Sequence, residues 1–218
     1  MALSTDLYIN LRKDILQGRL KQGEKLTEQK ICDEYGISRT PVREAFRQLE
    51  LEGFIETMPN RGAFVRGFSP QDIQDMYELR KAYEILAVKW AVDRITKEEF
   101  DKLVEAFEFM EFYTQKKDAE KMLNINMSFH ELIYKASHNR ILYNALSSYQ
   151  FYMKYSKVNK SYTANHLEKV LDEHRAIFDA FKKKDVEAGI NAISTHLDNA
   201  KLRANDLSSN NTYHAKGF

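Results

Sequence analysis

The sequence predicts a mostly α-helical protein, with an N-terminal winged helix-turn-helix and a C-terminal all-α antiparallel helical bundle. The chain of 218 residues contains only eight glycines and three prolines, a composition typical of helical proteins. Near the N-terminus, two helix patterns separated by a glycine precede two short strand patterns. After residue 68, helix-start residues recur between stretches with apolar faces. The connections between these stretches are short, so consecutive helices are expected to be neighbours in space.

The winged helix-turn-helix is predicted from a helix pair and a hairpin. Thr27–Tyr35 has the pattern of a short helix ended by Gly36, and a second helix continues to Gly53. Strand patterns at 54–58 and 63–66 then enclose a turn at 59–62. One side of the second helix has the three- and four-residue spacing of a core-packing face: Val42, Ala45, Phe46 and Leu49.

A cationic stripe lies on the other side of the second helix. Arg39, Arg43 and Arg47 recur every four residues and therefore share one helix face. A single exposed arginine is usually only solvated. Three stacked arginines beside a basic hairpin tip instead predict that the second helix enters a major groove, with the wing on the DNA backbone or minor groove.

The start of this second helix can be assigned in two ways. Thr40 can cap it with Pro41 in the first helical position, or Ser38 can be the cap. In both cases Arg39 lies at or just before the N-terminus, beside free amides that favour a phosphate.

The run LTEQKICDEYGISRTPVREAFRQLELEGFIE, followed by NRGAFV, resembles the DNA-binding domain of GntR-type bacterial transcription regulators over residues 5 to 68. The resemblance implies double-stranded operator DNA as a partner. It also implies contacts to that DNA from the recognition helix and from the wing tip: Arg39, Thr40, Arg43, Arg47, Asn60, Arg61 and Gly62. At Gln29 some relatives carry an arginine that is directed toward DNA.

The chain as a whole divides into a DNA-binding domain at 1–68, a helical effector-binding and dimerisation domain at 69–205, and a flexible tail at 206–218. A net charge of +1 suggests weak DNA binding by one chain and hence a homodimer on a palindromic operator. No apolar run reaches membrane-spanning length, and a single cysteine, Cys32, excludes an internal disulfide. These features predict a cytoplasmic protein.

Capping signals divide the second domain into six helices. Ser69 precedes Pro70 at the start of the first, and Thr96 forms a capping box with Glu99 at the second. Further starts are expected at Asp118, Ile141, His166 and Asp185. Apolar faces and short connections then predict an antiparallel bundle.

Three histidines fall in the middle of predicted bundle helices, on or beside the inward faces. A lone inward histidine is most often a hydrogen-bonded core residue, but His130, His174 and His196 come from three different helices. Burying several imidazoles together costs free energy unless a metal or an anion satisfies them. With Asn126 one turn before His130, the set favours a divalent ion, zinc or nickel first, with manganese, iron or cobalt as alternatives.

The segments FHELIYKASHNRIL and DEHRAIFDAF resemble the FCD effector domain found in the FadR subfamily of these regulators. That resemblance implies a metal site formed by Asn126, His130, His174 and His196. Many members carry aspartate at the first of these positions. A neutral amide leaves the charge of the ion uncompensated, and the predicted effector is therefore a small carboxylate.

Arg80 is a candidate effector ligand, because its planar fork suits a carboxylate. An ordinary ion pair with Glu84, one turn later on the same helix, is the equal alternative.

Three functions are compatible with the sequence. The preferred one is a ligand-responsive DNA-binding regulator without enzymatic activity. A metal-dependent hydrolase would use the histidine cluster, but the sequence places no recognisable acidic general base beside it. An acyl-CoA-responsive regulator, like the founding member of the subfamily, would need a long apolar channel where the histidines predict a metal.

Overall fold

A computed structural model of the chain describes residues 2–59, 61–155 and 164–214, with side chains at 4–59, 61–69, 71–153 and 166–204. The described part forms two compact units, which divide between Ile73 and Gln74. The mostly helical architecture with a small N-terminal sheet is the predicted one. None of the described helices is both long and apolar enough to cross a lipid bilayer.

The first unit is a winged helix-turn-helix. Its elements are α1 (Ala2–Leu16), β1 (Lys25–Leu26), α2 (Glu28–Tyr35), α3 (Arg39–Leu51), β2 (Ile55–Met58) and β3 (Gly62–Val65). The three strands form an antiparallel sheet in the order β1-β3-β2. The predicted inner face of α3 is buried, together with apolar residues of the other helices and the sheet: Leu7, Leu11, Ile15, Leu26, Ile31, Val42, Ala45, Phe46, Leu49, Phe54, Ile55, Ala63 and Val65.

Local geometry fixes the turn between α2 and α3. Thr27 caps α2 by accepting from the backbone N–H of Lys30, and Gly36 ends it in the left-handed conformation that glycine tolerates best. Ser38 is the cap residue of α3, although its side chain accepts no capping hydrogen bond. The alternative assignment of Thr40 as the cap is therefore wrong. Pro41 is the third helical residue instead of the first, and it is tolerated there because the first four amides of a helix have no intrahelical acceptor.

The second unit contains six helices, among the residues that the structure describes. They are α4 (Pro70–Arg94), α5 (Lys97–Gln115), α6 (Ala119–Ala136), α7 (Arg140–Tyr155), α8 (Ala164–Lys183) and α9 (Val186–His214). The capping box of Thr96 with Glu99 and the Asp118 cap are formed as predicted. The side chain of Asp185 accepts from the amide of Ala188 and caps α9.

The end of α9 differs from the prediction. The helix continues to His214, beyond the predicted end near Asn205; residues 215–218 lie outside the described chain. The segment after Asn205 is rich in serine and asparagine, which are poor helix formers but not helix breakers. The next glycine is Gly217 and no proline follows Pro70, so nothing in the sequence forces the helix to stop.

Candidate functional site

The outer face of α3 presents the predicted cationic stripe. Arg39, Thr40, Arg43 and Arg47 are all exposed. The side chains of Arg43 and Arg47 keep 64% and 71% of their accessible surface. The opposite face of α3 packs into the core of the unit, so the helix offers this polar side to a partner. Arg39 is the first residue of α3, and its position at the helix N-terminus is as predicted.

The wing carries the other predicted DNA contacts. Arg61 is exposed at the tip and its amide donates to the carbonyl of Met58, which closes the turn. Gly62 has φ of +95°, and a Cβ there would lie 3.2 Å from Cε of Lys25. The positive φ favours glycine at this position, whereas the flexible end of Lys25 can move away from a Cβ. Asn60 lies outside the described residues.

The three predicted histidines come together in the second unit. His130 on α6, His174 on α8 and His196 on α9 are each 3% exposed or less. One ring nitrogen from each histidine lies within 4.8 Å of those of the other two. Nε2 of His130 is 3.1 Å from Nε2 of His174. Two imidazole nitrogens bound to one ion at ~2.1 Å would lie ~3 Å apart, so this pair already has a separation that suits a metal.

Carboxylates and a carbonyl orient the rings from behind. Nδ1 of His130 lies 2.7 Å from Oε2 of Glu84, and Nδ1 of His196 lies 2.8 Å from Oε2 of Glu173. Nδ1 of His174 lies 2.7 Å from the carbonyl oxygen of Val170. All three partners can only accept, because both carboxyl groups are ionised, so each Nδ1 carries the proton and each neutral ring keeps its lone pair on Nε2.

Arginines hold both carboxylates. Nε of Arg80 and the hydroxyl of Tyr134 donate to Oε1 of Glu84, at 2.6 and 2.7 Å. Burial would raise the pKa of Glu84, but the charge of Arg80 and the contact with His130 hold that pKa well below its usual range. The ion pair of Arg80 with Glu84, one of the two roles considered for Arg80, is therefore present.

The second carboxylate has a matching set of donors. Glu173 accepts from Asn199 at 2.8 Å and from both terminal nitrogens of Arg203 at 2.7 and 2.9 Å. Burial alone would raise the pKa of Glu173, but the hydrogen bonds from His196 and Arg203 lower it to about 2. Glu173 therefore remains a carboxylate at neutral pH.

His174 and His196 are held in the neutral form at neutral pH. Burial and the two neighbouring imidazoles lower the pKa of His174 well below its ordinary value. Burial likewise lowers the pKa of His196 to about 4, against the opposing effect of Glu173. Neutral imidazole is the form that binds a metal.

Asn126 supplies an unsatisfied acceptor on the same helix as His130. It lies one turn before that residue, and its Oδ1 is buried without a hydrogen-bond partner among the described residues. A buried carbonyl oxygen without a donor costs free energy, and a cation would satisfy it. The donor set of three imidazole nitrogens and one amide oxygen therefore fits a divalent metal.

Sequence reasoning missed the two carboxylates. The sequence predicted no acidic general base beside the histidines, and it did not predict that Glu84 and Glu173 contact them. Each carboxylate, however, faces Nδ1 and is bound to an arginine, so neither is placed as a general base on the Nε2 side. Glu173 directly precedes His174 in the sequence but contacts His196 on another helix, so that adjacency was no signal for the contact. For Glu84, 46 residues before His130, the sequence contained no signal either.

A small cavity borders this centre at Arg80. Its other walls are Met76, Tyr77, Tyr149, Tyr152 and Met153. The space admits about one water-sized group. The cavity as it stands would not admit a long acyl chain.

Comparisons with known proteins agree on both units. The pattern of bacterial regulatory proteins of the gntR family matches residues 3–65, and that of the FCD domain matches residues 75–199. An uncharacterized HTH-type transcriptional regulator, YdhC of Bacillus subtilis, is 33% identical over 88% of this chain and 86% of its own length. The galactonate operon transcriptional repressor of Escherichia coli is 27% identical over 92% and 96% of the two chains.

The fold is also found among solved structures. The structure of E. coli McbR/YncC superposes with a TM-score of 0.74 over 95% of this chain and 99% of that one, at 22% identity. With the exposed basic helix of the first unit and the buried histidines of the second already described, the matches to both sequence patterns lead to one assignment. The chain belongs to the GntR family of bacterial DNA-binding transcription regulators and carries an FCD domain.

Proposed function

We propose that this regulator is a homodimeric repressor. Its affinity for a palindromic operator is controlled by a small carboxylate bound at a metal centre. In this proposal residues 1–68 bind DNA, and residues 69–205 bind the effector and form the dimer. Repression is supported by the name of the galactonate operon repressor. Effector binding can control DNA binding if the effector has different affinities for two arrangements of the dimer. The coupling free energy between two such sites is ~1–3 kcal/mol in typical cases.

The cluster of three buried histidines is the observation that carries the proposal. His130, His174 and His196 each use Nδ1 for a fixed acceptor, so that Nε2 is left for an ion. Asn126 is the proposed fourth ligand because of its unsatisfied oxygen. Zinc or nickel suits this donor set best, with manganese, iron or cobalt as alternatives. A bound ion would supply a concentrated positive charge and open coordination positions for a carboxylate.

The charges of the site favour an anionic effector. Arg80 balances Glu84, and Arg203 balances Glu173, so the charge of a divalent ion would have no acidic ligand to compensate it. An effector carboxylate would provide that compensation. Arg80 also lines the cavity described above, and we propose that its remaining N–H groups bind the effector there.

On the DNA side, α3 is the proposed recognition helix. Arg39, Thr40, Arg43 and Arg47 lie on its exposed face, and Arg61 and Gly62 form the described part of the wing tip. Asn60 remains a predicted contact outside the described residues. A hydrolase has less support, because Glu84 and Glu173 are both held by arginines and directed at Nδ1 atoms.

Elemental analysis of the purified protein tests the metal centre. About one transition-metal ion per chain is expected for the wild type and for His138→Ala, whose histidine is exposed. His174→Ala should lose the ion. A metal content that is the same in all three proteins would contradict the assignment.

The response to effector requires a second measurement. Operator DNA selected from a random duplex library should be released by one or more small carboxylates from the metal-loaded wild type and retained by His174→Ala. Release from both proteins at the same concentration would show that the carboxylate acts elsewhere.

A further inference from the structure

Polar side chains of α2 hold two of the three arginines on the recognition helix. Oε1 of Glu28 accepts from Nε of Arg43 at 2.8 Å. Oε1 of Gln29 accepts from Nη2 of Arg39 at 3.0 Å, and Nε2 of the same amide donates to Asp33 at 2.8 Å. Because a carboxylate can only accept, Asp33 fixes the amide with its oxygen toward Arg39.

Arg47 lacks such support among the described residues. Its nearest acidic partner is Glu44 on its own helix, with a separation of 3.7 Å, which is longer than a hydrogen bond. The three arginines of the stripe therefore differ: α2 orients Arg39 and Arg43, whereas Arg47 extends into solvent.

The contact with Glu28 leaves a particular part of Arg43 available. A guanidinium has five N–H groups in a planar fork. Glu28 occupies the Nε edge, so the two terminal nitrogens face outward on a side chain that is 64% exposed. That pair of donors matches two acceptors lying side by side, such as O6 and N7 of guanine in the major groove. A phosphate offers a similar pair of oxygens.

The charge of Glu28 distinguishes between these two acceptors. A phosphate bound to Arg43 would bring a second negative charge close to the Glu28 carboxylate. The repulsion acts well within the screening distance of about 8 Å at physiological salt. A guanine edge carries no net charge, and the partial charges of O6 and N7 are repelled much less than a phosphate. The negative charge of Glu28 thus disfavours a contact of Arg43 with phosphate and favours a contact with a base edge.

We propose that Glu28 is a specificity-determining residue of DNA binding, which positions Arg43 on a guanine edge and discourages it from binding phosphate. The inference rests on the proposed role of α3 as the recognition helix. Glu28 acts through Arg43 and is therefore a positioning residue that does not itself read the DNA. Arg47, without an acidic partner in hydrogen-bond contact among the described residues, is assigned to the phosphate backbone.

The test compares full-length wild type with Glu28→Gln and Glu34→Gln. Glutamine at position 28 keeps an oxygen that can accept from Arg43 but removes the charge. Glu34 is an exposed residue of α2 outside the contacts above, so its variant removes the same charge from the same helix. Each protein selects sequences from a random duplex library, and its affinity for the wild-type-selected and a scrambled duplex is measured against KCl concentration.

Glu28→Gln should lose the guanine preference at one position of each half-site. The ratio of the two dissociation constants, scrambled over selected, should fall about tenfold, in the range of one bidentate base contact. The dependence of log K on log salt should steepen by about 0.9 for each phosphate that Arg43 then neutralises. Glu34→Gln should bind both duplexes slightly better, with the ratio unchanged.

Two results would overturn the role of Glu28. One is an unchanged guanine preference and salt dependence in Glu28→Gln. The other is the same loss of discrimination in Glu34→Gln, which would show a general charge effect. If the wild type selected no sequence and bound no duplex, the proposed DNA-binding role of α3 would itself be wrong, and that outcome is distinct from the other two.

Discussion

One arginine–glutamate pair joins α3 to α2 in the first unit and another lies beside the histidines of the second unit, yet these two pairs differ in almost every physical respect. The contact of Arg43 with Glu28 is 2.8 Å long and solvent reaches both side chains. The contact of Arg80 with Glu84 is 2.6 Å long, and Glu84 is only 1% exposed. The two distances are similar, but the exposed pair of Arg43 with Glu28 is weak and can exchange partners, whereas the buried pair of Arg80 with Glu84 is fixed.

The difference follows from the solvent. Water and salt screen the exposed pair, so it contributes little to stability and Arg43 can exchange its partner for DNA. In the buried centre each charge has lost its hydration and must keep its partners. Glu84, with three donors around it, therefore sets the orientation of His130, while Glu28 only biases an arginine that remains available.

The largest expected effect comes from breaking the buried pair. Glu84→Ala should lower the free energy of unfolding by about 3–5 kcal/mol, because Arg80 would remain buried without a counter-charge. Glu28→Ala, which breaks the exposed pair, should change it by less than about 1 kcal/mol. Urea unfolding of the metal-free proteins at pH 7 measures both. Equal changes in the free energy of unfolding would show that the buried and the exposed pair contribute alike to stability.

Acidification should also destabilise the buried centre. The pKa of His196 is about 4 in the folded chain and ~6.5 when unfolded. The unfolded state therefore binds the proton first, and stability is lost as pH falls below that unfolded value. At pH 5 the loss is about 2 kcal/mol from His196 alone, and His174 acts in the same direction.

Urea unfolding at pH 7 and pH 5, in the presence of a chelator, measures this loss. Glu173 remains ionised in the folded state throughout that interval, so the histidines account for the change. A variant at the exposed His138 should show the same loss as the wild type. Equal stability at the two pH values would mean that folding does not lower the pKa of the buried histidines.

On the exposed side, Arg43→Ala should weaken operator binding by about 1–3 kcal/mol for each half-site and leave the unfolding free energy unchanged. Fluorescence anisotropy with the selected duplex gives the affinity. Lys97→Ala, an exposed charge change on α5, serves as the control. If Arg43→Ala bound as tightly as the control, the assignment of α3 would be refuted.

The smallest effect is expected at Arg47. Arg47→Ala should weaken binding to selected and scrambled duplexes alike, since a phosphate contact carries no sequence information. The salt dependence should become shallower by about 0.9 for each phosphate that the alanine variant no longer neutralises. A loss of preference for one base, with the salt dependence unchanged, would instead make Arg47 a base-reading residue.

Local sequence patterns predicted the fold well because they act over short distances. The capping box at Thr96, the glycine turn at Gly36 and the apolar face of α3 each depend on neighbours within about one turn of helix. The sequence leaves the start of α3 open, because Ser38 and Thr40 are both residue types that cap helices. The end of α9 was missed because a polar composition weakens a helix without breaking it.

The sequence by itself determined the family, the winged helix-turn-helix, the exposed arginine stripe and the burial of His130, His174 and His196. The family followed from the resemblance of the quoted motifs, and the winged helix-turn-helix from helix, glycine and strand patterns. The arginine stripe and the inward histidines needed only helical periodicity, which fixes the side of a helix that a residue occupies. Only the tertiary structure decided which groups meet across helices. Glu84 reaches His130, Glu173 reaches His196, and Glu28 reaches Arg43. Such contacts depend on how separate helices pack, and periodicity within one helix contains no information about its neighbour.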